Sequence, residues 1–159
     1  MLFDTDILIA VQRGHAKAAD LINKAQSRKI SVFTYMEFLQ GARDRRQLIL
    51  CQSFLRDLGF ETLALTGNIG HRAAIYVEQY ALSHCMRAGD AMIAATASEH
   101  GLTLTTGNSK HFRQIPGLEL KVLKLGTHTR TCQFTWTKPI AGTPLPRRML
   151  GVHLGTILS

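Results

Sequence analysis

A chain of 159 residues is long enough to bury about two-thirds of its unfolded surface in one core, and 45% hydrophobic with 19% charged residues is an ordinary globular composition, neither disordered nor fibrous. No apolar run reaches the ~20 residues of a bilayer span, and the N-terminal MLFDTDILIA carries acids where a signal peptide has a basic region, so a cytoplasmic protein with no membrane partner is expected. Nineteen Lys and Arg against eleven acids give +8, which favours a polyanionic partner through phosphate neutralisation.

Taken in chain order, short apolar runs alternate with longer amphipathic ones, the pattern of an α/β fold with a central, mostly parallel sheet. MLF at 1–3 reads as a truncated first strand, ISVF at 30–33 as a second, LTLT at 102–105 as a third, and the alternating LELKVL at 118–123 as an outer strand. Between them HAKAADLINKAQSR, YMEFLQGARDRRQLILCQSFLRDL, GNIGHRAAIYVEQYALSHCM and DAMIAATASEHG carry the three-and-four spacing of helices. Gly59 and Gly101 mark two helix ends, and Thr66 or Asn68 can cap a start. From Gly126 onward the composition changes: seven threonines, three of the four prolines, four Lys or Arg and no acid. Residues 1–125 therefore read as the domain and residues 126–159 as a C-terminal extension, either a flexible tail or an added edge strand at TCQFTWT. Cys51, Cys85 and Cys132 have neither CxxC spacing nor a histidine at zinc-finger distance.

Eleven acids are few enough to sort singly. Asp20, Asp44, Asp57, Glu61, Glu78, Glu99 and Glu119 sit beside basic residues, on polar faces or at segment ends, where solvation suffices. Asp4 follows an apolar strand, at the sheet edge where ligands bind in open α/β folds. Glu37 comes just past a strand on a first helical turn, and Asp90 opens a run, Ala91–Ala97, whose only polar member is Thr96. Each has a plain alternative: Asp4 or Asp6 as cap of a helix near Ile7, Glu37 completing a T-x-x-E capping box with Thr34, and Asp90 as an N-cap. All three nevertheless fall at starts of helices that follow apolar segments and can converge on one sheet edge. Carboxylates ~4 Å apart at an effective dielectric of ~20 repel by about 4 kcal/mol, so convergence demands protons or a cation. Magnesium, bound through a few carboxylates plus substrate phosphate, suits such a cluster.

LFDTDILIA, SVFTYMEFLQGA and SHCMRAGDAMIAATASEHGLTLTTGNSKHFRQIPGLEL, taken together over residues 1–123, resemble a PIN-domain ribonuclease, specifically a VapC toxin of type II toxin–antitoxin pairs. The resemblance implies a PIN-like three-layer α/β/α sandwich and a Mg2+- or Mn2+-dependent endoribonuclease that hydrolyses RNA phosphodiester bonds with a metal-activated water, leaving 5'-phosphate and 3'-hydroxyl ends. It assigns Asp4, Glu37 and Asp90 as metal ligands, places Thr5 and Thr106 as supporting hydroxyls, and puts Asn108 at a fourth position where some members carry Asp. An amide oxygen there contributes no charge. Arg13, Arg43, Arg45, Arg46, Arg87, Lys110 and Arg113 are candidates for the RNA approach, whereas His111 and Phe112 suit packing. A homodimer and a cognate VapB-type antitoxin are the implied partners, with the helix around Tyr35, Phe38 and Leu39 as a contact if it is not core.

Two other readings compete. D-x-D at 4–6 is also found in haloacid dehalogenase-like phosphatases, with Asp4 as nucleophile, Asp6 as general acid and Lys110 as charge partner. That scheme lacks its second acid after Asp90, where Ala94 and Ala95 stand, and gives Glu37 no role. The alternative is a non-catalytic PIN-like domain that binds RNA or an antitoxin without cleaving.

Overall fold

The computed structural model describes residues 1–125; the extension 126–159, with its expected edge strand or tail and Cys132, lies outside the described residues. Five short strands form one all-parallel sheet: β1 (Leu2–Phe3), β2 (Lys29–Ser31), β3 (Glu61–Leu63), β4 (Leu104–Thr106) and β5 (Leu120–Val122), in the order β3-β2-β1-β4-β5. Parallel neighbours require crossovers, and six helices supply them. These are α1 (Thr5–Gln12), α2 (Ala16–Lys24), α3 (Val32–Gln40), α4 (Arg45–Asp57), α5 (Gly67–His84) and α6 (Ala88–Glu99).

Period-two alternation divides the interior into two cores. Leu2 points into a core with Leu104 and the apolar faces of α5 and α6, while its neighbour Phe3 enters the opposite core with Ile30 and side chains from α1 to α4. The sheet is thus covered on both faces, giving the three-layer α/β/α sandwich. Tyr35 and Leu39 pack against the second core and Phe38 is fully enclosed in it. Within α6, Ala91, Ala94, Ala95 and Ala97 are completely buried, the all-round burial expected of a helix with no polar face. Small side chains let it approach its neighbours closely. At Gly89 a Cβ would stand 2.4 Å from Cε1 of Phe33 and 3.4 Å from Oε1 of Glu37, so α3 and α6 cross where only glycine fits.

Three sequence expectations change. The run from Tyr35 to Leu58 is two helices rather than one, broken after Gly41 and restarted at Asp44, whose carboxylate accepts the Gln47 N–H at 2.8 Å. Val32 and Phe33 are helical, because Ser31 is the N-cap: its Oγ accepts the Thr34 N–H at 2.9 Å. Third, β3 is a strand that the apolar pattern misses. Thr66 caps α5 as expected, through Ile69 N–H at 3.3 Å, and Gly59 and Gly101 have the positive φ of helix-terminating glycines. No helix among the described residues is long and apolar enough to cross a membrane.

Candidate active site

In a sheet ordered 3-2-1-4-5, the chain leaves β1 toward one side and β4 lies on the other, so a crevice opens at the carboxyl ends of β1 and β4. Asp4 is the first residue past β1 and caps α1, accepting the Thr5 N–H at 2.7 Å. The expectation of Asp4 or Asp6 as a cap therefore resolves to Asp4. Its other oxygen accepts the Thr106 hydroxyl, at the end of β4, at 2.7 Å. Thr106 is itself fully buried and accepts the Asn108 N–H at 3.0 Å, so one hydroxyl couples the Asp4 carboxylate to the turn beyond β4. Replacing Thr106 with valine leaves that N–H without its acceptor; the expected cost is about 1–3 kcal/mol, read as a lowered urea midpoint at unchanged slope.

The sequence offers Asp6 only as a cap or a phosphatase acid. In the fold it reaches across the crevice, accepting the Gly107 N–H at 2.9 Å and lying 3.4 Å from the Thr106 hydroxyl. Gly107 is tight here as well: a Cβ would meet Leu125 at 2.4 Å and the Asp6 carboxylate at 3.1 Å. The signal available in the sequence was the D-x-D pair itself.

Glu37 stands on the second turn of α3, not the first, because the helix begins at Val32; the Thr34–Glu37 capping box does not form. Its Oε2 instead accepts the Thr5 hydroxyl at 2.5 Å. Asp90 is not the N-cap of α6. The helix begins at Ala88, and Asp90 sits at its third position, reaching back to the Arg87 N–H at 3.4 Å. The N-terminal end of the helix dipole favours a carboxylate there. Asn108 precedes a 3-10 turn, Ser109–His111, without capping it through its side chain.

Burial and neighbouring charge dominate the electrostatics. Asp4 is 3% exposed and Asp90 5%. Loss of solvent is the main cause holding the Asp4 carboxyl well above its ordinary value; the Asp6 and Asp90 carboxylates push it further up, against the opposing hydrogen bonds from Thr106 and Thr5. A buried acid with that surrounding takes up a proton or a cation. The donor set is hard oxygen throughout, which suits Mg2+ or Mn2+ rather than a thiolate-loving metal. As they stand, no three His, Cys, Asp or Glu side chains among the described residues are close enough to hold an ion unaided. Such a site fits an ion that keeps several waters and draws further ligands from substrate phosphate.

Beside the acids, the turn beyond β4 opens into a groove of about 540 Å3 whose lining includes His84, Asn108, Lys110, Arg113 and Gln114. Lys110, the charge partner of the phosphatase scheme, is exposed and lines this groove. Phe112 is fully buried, in the core as expected. Cys51 and Cys85 are free thiols.

The PIN domain profile matches residues 1–118. The chain belongs to the PIN-domain family. Ribonuclease VapC1 of Rickettsia felis is 30% identical over 126 residues, covering 76% of this chain and 93% of the relative. Among solved structures, a toxin–antitoxin complex from Klebsiella pneumoniae superposes with a TM-score of 0.62 at 31% identity, covering 74% of this chain and 93% of that one. VapBC2 from Rickettsia felis, bound to a DNA fragment from its promoter, shares the PIN fold at 20% identity with a TM-score of 0.63, over 77% of this chain and 97% of that one.

Proposed function

We propose that this PIN domain is a Mg2+- or Mn2+-dependent endoribonuclease, the VapC-type toxin of a toxin–antitoxin pair, held silent by a VapB-type antitoxin and working as a homodimer. The observation that carries the reading is the buried Asp4 carboxylate at the switch point of the sheet, crowded by Asp6 and Asp90 and steadied by Thr106. Similarity to a protein named a ribonuclease, at 30% identity over nearly its full length, supports the reaction. Likeness at 31% identity to a chain of a toxin–antitoxin complex supports the partner.

In this reading Asp4, Glu37 and Asp90 hold the ion, and Asn108 offers a neutral amide oxygen. Bound there, a divalent cation lowers the pKa of the attacking water and offsets charge on the phosphate. The remaining work falls to the chain. Thr106 and the Thr5 N–H fix both oxygens of Asp4, the Thr5 hydroxyl sets the direction of Glu37, and the buried α6 keeps Asp90 from swinging into solvent. Asn108 adds no charge to this ligand set, and the RNA phosphate supplies a further anionic oxygen.

The test is cleavage of end-labelled RNA by the purified protein. Cleavage is expected with Mg2+ or Mn2+ and absent in excess EDTA. Undiminished cleavage in EDTA, or turnover of a phosphomonoester in place of RNA, would overturn the assignment.

A further inference from the structure

We propose that the groove beside Asn108 is a track for the sugar-phosphate backbone of the RNA next to the scissile bond, and that it holds this backbone without reading bases. The inference rests on the endoribonuclease reading and specifies which face of the site the substrate strand crosses.

Position is the first support. Gly107, whose N–H is held by Asp6, and Asn108, whose N–H is held by the hydroxyl bonded to Asp4, both line the groove. One end of the track is therefore two hydrogen bonds from the Asp4 carboxylate. Charge is the second. Lys110 and Arg113 are the charged side chains of the lining, both exposed, and no Asp or Glu joins them. Acids crowd the crevice at Asp4 and cations line the space immediately beyond it. An RNA strand matches that polarity, with the scissile phosphate beside the acidic crevice and the adjoining phosphates at Lys110 and Arg113.

Rigidity is the third support. Lys110 and Arg113 flank Phe112, whose ring is fully buried. The far wall is tied down too, since His111 Nδ1 lies 3.2 Å from the His84 carbonyl oxygen and the His84 Nδ1 lies 2.8 Å from the Ser83 hydroxyl. Finally, the lining includes no Phe, Tyr or Trp, and its imidazole, His84, is already engaged by the Tyr80 ring and the Ser83 hydroxyl. Single-stranded RNA is read for sequence largely by stacking splayed bases on aromatic rings, and contacts from Lys, Arg and amides to phosphate and sugar fix register without carrying sequence. Choice of target must then come from elsewhere. Of the seven basic candidates in the sequence, this selects Lys110 and Arg113.

The experiment compares wild type, Lys110→Ala/Arg113→Ala and a charge-matched control, Lys17→Ala/Arg56→Ala, on two short single-stranded RNAs of unrelated sequence. Binding is followed by fluorescence anisotropy in Ca2+, and cleavage in Mg2+. All four substituted residues are exposed, and equal melting temperatures verify folding. The groove variant should bind both RNAs on the order of tenfold more weakly at 0.1 M salt, with a slope of log affinity against log salt shallower by about 1.4, as for two lost single-strand phosphate contacts. Its KM should rise with kcat retained. Equal losses in the control, an unchanged salt slope, or a loss confined to one sequence would each overturn the track. A wild type that binds RNA through these residues but never cleaves would remove the nuclease reading and leave the track standing.

Discussion

Asp4→Asn should lose cleavage by on the order of 10³-fold and at the same time make the protein harder to unfold at neutral pH in EDTA. The first half follows from the several kcal/mol of transition-state stabilisation that a positioned divalent ion contributes. The second follows from the raised Asp4 pKa, whose largest cause is burial, followed by the Asp6 charge. Unfolded, the carboxyl titrates near its ordinary ~3.9. Between that value and the higher folded one, the native state binds more protons than the unfolded chain, so stability falls as pH rises through the window. The penalty is complete above the folded pKa and absent below the unfolded one. The amide oxygen still accepts the Thr5 N–H, its NH2 donates to the Thr106 hydroxyl oxygen in place of the bond the carboxylate accepted, and there is no charge to bury. Urea titrations in EDTA should thus place the variant above wild type at pH 7 and level with it near pH 3. A variant less stable than wild type at pH 7 would mean that the site tolerates the bare charge, and the need for a cation would vanish with it.

Phe112→Ala should cost about 3–5 kcal/mol, the range for emptying a buried aromatic site. Against a total of ~5–15 kcal/mol for a domain, that is about a fifth of the fold's margin at the least. The ring is fully enclosed, in one core with Leu104, Ile115 and the alanine face of α6. It follows directly on the Ser109–His111 turn, so its loss also frees the wall that carries Lys110. Chemical denaturation gives the number. A loss under 1 kcal/mol would show that the core closes over the gap, and would make a surface rather than a packing residue of the one aromatic in SKHFRQIPGL.

Much of this architecture was legible because period and punctuation agree. Thr66 before α5, Gly59 and Gly101 after α4 and α6, and the alternating LELKVL all act within a few residues of themselves. What stayed hidden depends on distant partners or on mixed signals. In β3 only Leu63 is buried while Glu61 and Thr62 are exposed at the sheet edge, so no alternation announces a strand. The division of α3 from α4 was announced by Gly41 and Asp44, but the apolar spacing runs on through both and outvotes them. Asp4, Glu37 and Asp90 stand apart from the other acids in the sequence, but of the caps they suggest only that of Asp4 forms: Ser31 caps α3 in place of Thr34, and Asp90 lies at the third position of α6. Asp6 could not be ranked at all, since its partner Gly107 lies 101 residues away, and the groove is a property of two chain segments that no local window contains.

The central placement of β1 has a consequence in time. Phe3 leaves the ribosome a hundred residues ahead of its partner, since it pairs with Thr105, and the Asp4 N–H is taken by the Thr105 carbonyl. The acidic crevice therefore cannot close on a nascent chain until more than a hundred residues have been made. At roughly 5–20 residues per second, that is a delay of about 5–20 seconds between the first acid and its last neighbour. A destructive activity is thereby withheld by topology alone from every truncated product that stops short of β4, which leaves an inhibitor only the finished molecule to intercept.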